Sequence, residues 1–504
     1  MFQRFHVPEM SSKSVSRSWA VISLLLVFGV NLLIRSWHCS EWIPNGDEPF
    51  SLYFAQWSLQ GIWSVLMMGN NPPLYEWMLH LLQYWNGFNW QVARWVSAIL
   101  VSIGAMALWG ASLKKQNWGA MLSACLFLAS TQVMNASHLI RAYALEIGLT
   151  CLLLWCTEIL VSQDSDEKRR PTTRNLWMGW ILLVVLVPWV HFYGWLLILP
   201  AVLRMDFRKT WKPFLLAGLG LTPLIFHTVN RFVSTLEIGA ALDQPHGWSM
   251  LQDIFVLLNG NSTLAILALT TCMASLFLSL RKGLGSNLVW LTPLALYGIG
   301  SLCTSMHAPR YIALFAPYWC HFLGQNLASL IQHPSLQLKR WGASLSTGTF
   351  LGLLCSGLIL WQIQPHIPVY GPLNDADRVV PRHTSVAYIL APKYCDLPFA
   401  KILRPEVFDR GALHEERWSN NDDISPMDAL HADLLESGVQ VLDVGAKEIQ
   451  LSTELLQADT LCLCDCGLWR YPNANIPDMI MKSHPREVFL FQDNSIQLKC
   501  FSRN

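Results

Sequence analysis

About eleven apolar runs, separated by short loops that alternate between basic and non-basic, decide what this chain can fold into. A helix needs about 20 apolar residues to cross a bilayer, with a range of roughly 17–25. Candidate spans fall at residues 19–36, 95–113, 118–134, 139–161, 176–190, 192–203, 213–228, 263–280, 285–304, 310–328 and 342–362. Charged residues are 14% of the 504, well under the roughly one quarter usual in soluble domains, and apolar residues are 52%. The 24 Trp residues suit the aromatic belts at membrane interfaces. The chain reads as an integral, multi-pass membrane protein. A net charge of +1 gives no footing for a nucleic-acid partner.

Basic residues settle the orientation, because cytoplasmic loops carry the excess of Lys and Arg. They gather at the N-terminus (Arg4, Lys13, Arg17), at Lys114-Lys115, at Lys168-Arg169-Arg170 with Arg174, at Arg204, Arg208, Lys209 and Lys212, at Arg281-Lys282, and at Lys339-Arg340. Placing every cluster inside predicts about eleven spans, the N-terminus inside and the C-terminus outside. Two conditions attach. Residues 72–88, short and carrying Glu76 and His80, must lie in the interface rather than cross. Residues 176–203 must form a hairpin with His191 at its outer apex. The first apolar run ends at Arg35-Ser36-Trp37-His38 with no small-residue cleavage site, so it is expected to be a retained helix rather than a signal peptide.

The composition changes near residue 364. Residues 1–363 are expected to form the transmembrane domain, with a first outer loop over 37–94 that holds interfacial helices. Residues 364–504 are polar and contain alternating stretches at 439–443, 461–464, 488–491 and 496–501, with a helical segment at 430–437. They predict a small α/β domain on the outer face. Most of the 13 Cys lie singly in apolar runs (Cys125, Cys151, Cys156, Cys272, Cys303, Cys320, Cys355) and read as packing residues. Cys462, Cys464 and Cys466 fall on one face of a strand and match no common zinc spacing. They read as buried strand cysteines. Disulfides with Cys395 or Cys500 stay open, because spacing does not determine pairing.

Under this topology, costly polar residues collect at the outer helix ends. Asp47-Glu48 lies in the first outer loop, and Asn70-Asn71-Pro72-Pro73-Leu74-Tyr75 follows it. Arg141-Ala142-Tyr143-Ala144-Leu145 opens the fourth span, His191 caps the hairpin, and His307-Ala308-Pro309-Arg310-Tyr311 opens the tenth. Carboxylates beside a bilayer are expensive and usually functional. Arginine suits phosphate because its planar fork makes paired, charge-assisted bonds.

These residues resemble the C-type, membrane-embedded glycosyltransferases, in the branch of the protein O-mannosyltransferases and the aminoarabinose transferases that modify lipid A. That branch carries an Asp-Glu pair, a His-Pro-Pro-Leu segment, an Arg-x-Tyr-Ala-Leu segment, a His-Tyr/Phe-Gly turn and a late Arg-Tyr. Here these are Asp47-Glu48, Asn71-Pro72-Pro73-Leu74, Arg141–Leu145, His191-Phe192-Tyr193-Gly194 and Arg310-Tyr311. Asn71 stands where the branch has His, and residues beyond about 330 show no family signature. The resemblance implies an inverting glycosyltransferase of the cell envelope that moves a hexose or pentose from a polyprenyl-phosphate donor to a protein, lipid or glycan acceptor. The setting it implies is a bacterial inner membrane, with active site and C-terminus on the periplasmic or extracellular side. Asp47 is then the base or acceptor-orienting group and Glu48 its support, or a ligand of a divalent metal. Arg141 and Arg310 neutralise the departing phosphate, and His191, Tyr143, Tyr311 and Tyr75 bind substrate.

Each motif also has a structural explanation. Asp47 and Glu48 suit a helix N-cap and first turn, Pro72-Pro73 a helix start, and the arginines snorkelling at the interface. Asp243, His246 and Asp253, in an expected outer loop at 229–262, read as solvated residues. The alternative function is a flippase or transporter of a lipid-linked precursor. It requires mid-span charges, internal repeats and broken helices at matching positions, and the sequence displays none of them.

Overall fold

The computed structural model describes residues 17–37, 39, 44, 47–68, 71–87, 89–113, 118–164, 173–241, 248–280, 288–303, 309–331, 336–363, 386–391, 396–420, 425–442, 451–453, 455–465, 476–492 and 497–503. The chain divides into two compact units. The first comprises Met1–Cys39, Asn70–Leu74 and Arg94–Pro365; the second comprises Ser40–Gly69, Tyr75–Ala93 and His366–Asn504. Most of the first outer loop therefore groups with the C-terminal residues.

The first unit is helical. Among the described residues, four helices are long and apolar enough to cross a membrane: Ser18–Ser36, Trp90–Ala111, Tyr143–Ser162 and Thr210–Val229. Two further apolar pairs are broken. Trp118–Ala129 and Thr131–His138 meet at 58°, and Trp248–Asn259 and Ser262–Met273 meet at 91°. Counting each pair as one span makes six. The broken helices correct the expectation of uninterrupted spans, and the 229–262 segment is helical over 229–241 and 248–259 rather than an open loop. Arg174–Val190, Gly194–Leu203 and Val289–Leu302 are apolar but shorter. The outward sides of the long helices carry Trp19, Leu25, Leu26, Leu33, Leu219 and Phe226, all strongly exposed. Bare apolar side chains along a helix of this length fit lipid contact and an integral membrane protein.

At the centre of this unit, helix Ala316–Ile331 is buried along almost its whole length and packs against Trp118–Ala129. Small residues let the two backbones approach. A Cβ at Gly324 would sit 2.5 Å from the Gly119 carbonyl oxygen and 2.6 Å from the Ser123 amide nitrogen. Ser123 Oγ also donates to the His321 carbonyl at 3.3 Å. Lipid tails are as apolar as Leu, so packing of this kind, rather than hydrophobic burial, drives association between spans.

The second unit contains a five-stranded mixed sheet in the order β2-β1-β3-β5-β4, with β1 Val386–Ala391, β2 Val439–Val441, β3 Thr460–Asp465, β4 Arg486–Gln492 and β5 Gln497–Ser502. β1 pairs in parallel with β2 and β3, while β3–β5 and β4–β5 are antiparallel. Cys462 and Cys500 face each other across β3 and β5 and form a disulfide. Cys464 is buried, while Cys395 and Cys466 lie outside the described residues.

Three helices of the first outer loop belong to the same unit: Glu48–Phe54, Leu59–Met68 and Leu74–Asn86. Leu74–Asn86 has 13 residues. At about 1.5 Å per residue it falls well short of a hydrocarbon core of about 30 Å. It buries Tyr75, Glu76 and Leu79 and exposes Leu81, Tyr84 and Trp85, the pattern of an amphipathic interfacial helix.

Candidate functional site

Within the helical unit, residues far apart in sequence meet around His191. The Thr173–Val190 helix carries Pro188 and ends at Val190; His191 follows in the turn before Gly194–Leu197. A Cβ at Gly194 would lie 2.6 Å from the Pro188 Cα, so the turn is too tight for any larger residue. Tyr143 opens helix Tyr143–Asp164, and Arg310 and Tyr311 lie in the 3-10 segment Pro309–Phe315. The His191 ring lies 5.9 Å from Tyr143, 5.5 Å from Tyr311 and 5.4 Å from Tyr193, centroid to centroid. Tyr193 is 5.1 Å from Tyr311 and 5.3 Å from Tyr297, and the Arg310 guanidinium sits 5.5 Å from the Tyr311 ring centre.

Electrostatics define what His191 offers. Burial, reinforced by the charges of Arg141 and Arg310, lowers its pKa from 6.5 to about 3. Its Nδ1 accepts from the Tyr193 backbone N–H at 3.2 Å, which leaves the proton on Nε2. The imidazole is therefore a neutral N–H donor. With two guanidinium groups bearing on it and aromatic rings around it, the cluster suits an anion with an attached sugar or isoprenoid. Guanidinium and imidazole N–H groups bind phosphate oxygens, and tyrosine rings supply apolar faces with polar edges.

Arg141, Tyr143, His191, Arg310 and Tyr311 thus come together in one unit. Tyr193 and Tyr297 are further members that the sequence reading missed. Tyr193 lies in the His191-Phe192-Tyr193-Gly194 motif, two residues from His191, whereas Tyr297 sits mid-run in an apolar segment without any local signal. His307, Asp243 and His246 lie outside the described residues. Asp253 is exposed on helix Trp248–Asn259.

Asp47, Glu48 and Tyr75 belong to the second unit. Asp47 is the residue before helix Glu48–Phe54, half-buried, with αR backbone angles and no side-chain capping bond. Helix capping therefore does not account for it. Glu48 is 1% exposed at the first turn, and Tyr75 is fully buried. Ser51 Oγ donates to Glu76 Oε1 at 2.8 Å, which ties helix Glu48–Phe54 to helix Leu74–Asn86. Among the described residues no three His, Cys, Asp or Glu side chains gather as a metal would need.

No protein-family model matches the chain, and no curated protein matches it. Solved structures do resemble it. ArnT from Cupriavidus metallidurans in the apo state is 13% identical, with 96% of this chain and 98% of that one covered and a TM-score of 0.49. ArnT from the same organism bound to undecaprenyl phosphate gives the same identity and coverage and a TM-score of 0.48. The archaeal oligosaccharyltransferase AglB from Archaeoglobus fulgidus, in complex with an inhibitory peptide and a dolichol-phosphate, is 9% identical. There 95% of this chain and 74% of that one are covered, at a TM-score of 0.47.

Proposed function

We propose that the protein is an inverting glycosyltransferase that uses a polyprenyl-phosphate sugar as donor and works on the extracytoplasmic face. The observation that carries this reading is the cluster of Arg141, Arg310 and a neutral His191 within a tyrosine cage. Charge develops on the phosphate as the glycosidic bond breaks, and preorganised cations are worth most where charge develops. The acceptor oxygen or nitrogen forms the new bond to the anomeric carbon. The bond from that carbon to the phosphate oxygen breaks, its electron pair leaves on the phosphate, and the acceptor's proton leaves to a base, the role proposed for Asp47 from the sequence. Arg141 and Arg310 receive the phosphate, and the His191 Nε2–H donates to one of its oxygens. Glu48 supports Asp47, and Tyr143 and Tyr311 flank the donor. The Cys462–Cys500 disulfide supports placing the second unit outside the cytoplasm, because disulfides persist in oxidising compartments.

The experiment is sugar transfer from a panel of labelled undecaprenyl-phosphate sugars in membranes carrying the wild-type protein or Arg141→Gln. Transfer that falls by roughly a hundredfold or more in the variant fits the loss of a group that stabilises the leaving phosphate. Equal transfer by both would remove Arg141 from the reaction.

One observation favours the second reading, transport of a lipid-linked precursor. The two helix breaks line one small cavity of about 30 Å³, with Ala129, Ser130 and Thr131 from one and Leu258, Asn259 and Gly260 from the other. Discontinuous helices at a shared cavity are a feature of transporters. Movement of a fluorescent polyprenyl-phosphate sugar across vesicles without glycosyl transfer would decide for it.

A further inference from the structure

We propose that the C-terminal domain is the positioning element for the Asp47–Glu48 helix, which it holds through a buried Tyr53–His414–Asp433 relay; the catalytic consequence rests on the reading above. Tyr53 lies on the inner face of helix Glu48–Phe54, and His414 on helix Gly411–Ser419 of the C-terminal region. Both side chains are 0% exposed. The Tyr53 hydroxyl is 2.8 Å from His414 Nδ1, and His414 Nε2 is 3.2 Å from Asp433 Oδ2. Asp433 also receives Arg417 at 2.5 Å and Arg410 at 3.4 Å.

The proton order follows. Burial, with Asp396 and Asp433 adding to it, holds the Tyr53 hydroxyl protonated, so it donates. His414 then accepts at Nδ1 and donates from Nε2 to an ionised Asp433. Every member has a partner, which is the condition under which a buried polar network rigidifies rather than destabilises.

Contacts around the relay make the joint specific. The Tyr53 ring lies 5.6 Å from Phe408, and Trp57 lies 5.2 Å from Trp418. Gln56 donates to the Phe408 carbonyl at 3.2 Å and accepts from the Gly411 amide at 3.0 Å. Glu415 accepts from the Ser58 amide and hydroxyl at 2.6 and 2.5 Å. These bonds all connect residues 53–58, at and just past the end of helix Glu48–Phe54, with one short stretch of the C-terminal region, more than 350 residues away in sequence.

The test is hydrogen exchange of residues 48–54 in the full-length protein in detergent, comparing wild type with Tyr53→Phe and Asp433→Asn. Tyr53→Phe keeps the ring and removes only the hydroxyl. Exchange that rises on the order of fivefold in both, the scale of one lost hydrogen bond, supports the relay. The control is His484→Gln, a buried histidine of the same domain whose bonds run to Ala458 and Ser483. Exchange of residues 48–54 unchanged in the relay variants, or raised as much by His484→Gln, overturns the proposal. In the transfer assay Tyr53→Phe lowers kcat with the donor KM unchanged; an unchanged kcat beside raised exchange overturns the positioning role. A wild type that transfers nothing sinks the glycosyl-transfer reading alone, and exchange still decides whether the domain holds the helix.

Discussion

Arg310 is the exposed member of the tyrosine cage, laid over Tyr311. A guanidinium both stacks on a ring and presents a two-pronged donor to phosphate, and an ammonium does neither in the same geometry. Arg310→Lys therefore keeps the charge and loses the fork, and we expect the donor KM to rise about tenfold, read from transfer at varied donor concentration. An unchanged KM would place Arg310 outside the donor site. Asp47 permits a sharper test. Asn caps a helix as well as Asp does, so Asp47→Asn preserves any capping and removes the proposed base. Transfer should fall roughly 10²–10⁴-fold with the melting temperature unchanged. A melting temperature that drops in step with activity would make Asp47 structural. Legibility at this scale divides along clear lines. The clustering of Arg141 and Arg310 was legible because charge beside a bilayer is costly and stands out, and that of His191 because a polar ring there does too, whereas Tyr297, apolar enough to pass unnoticed in a hydrophobic run, was not.

Helix Leu59–Met68 meets the C-terminal region at Gly61, where a Cβ would clash with the Glu415 carboxylate. An alanine there displaces the Glu415 carboxylate and breaks its two bonds to Ser58. We expect Gly61→Ala and Glu415→Ala to cost about 1 kcal/mol each and the double variant no more than either single one, by chemical denaturation. Additive costs would mean that the two residues do not share one contact. Elements were legible wherever composition alone sets them: the apolar runs became helices, and the alternating stretches became strands. The helix breaks were harder. Ser130 interrupts an apolar run by accepting from the Val133 amide as an N-cap, and such a residue inside a span looks like ordinary small-residue packing. Asn259-Gly260-Asn261, with Gly260 at φ 89°, is a readable turn signal, but the same residues equally suit the end of a polar loop.

At the scale of the whole molecule, the grouping of the first outer loop with the C-terminal region was illegible, since contacts across more than 350 positions leave no local pattern. Its electrostatics make it sensitive to acid. Burial lowers the His414 pKa below 6.5, outweighing the bond and charge of Asp433 that raise it, with Arg417 and Arg410 adding to the lowering. For Asp433, burial raises the pKa, but bonds from Arg417 and His414 outweigh it and the net is below 3.8. Both folded-state values are depressed, so both groups stabilise above their unfolded pKa values and lose that contribution as pH falls towards the folded ones. His414 acts first, below about pH 6.5, because the unfolded chain takes a proton there that the buried imidazole refuses. One such group changes stability by at most about 1.4 kcal/mol per pH unit. Hydrogen exchange of residues 428–436 should therefore accelerate between pH 7 and pH 5, after correction for intrinsic rates, while exchange of residues 316–331 in the helical unit stays level. In His414→Gln the slope should flatten, because glutamine does not titrate. A slope that persists undiminished in that variant would assign the acid response to another group. In that case the Tyr53 hydroxyl would be bonded to a histidine whose protonation does not govern the joint.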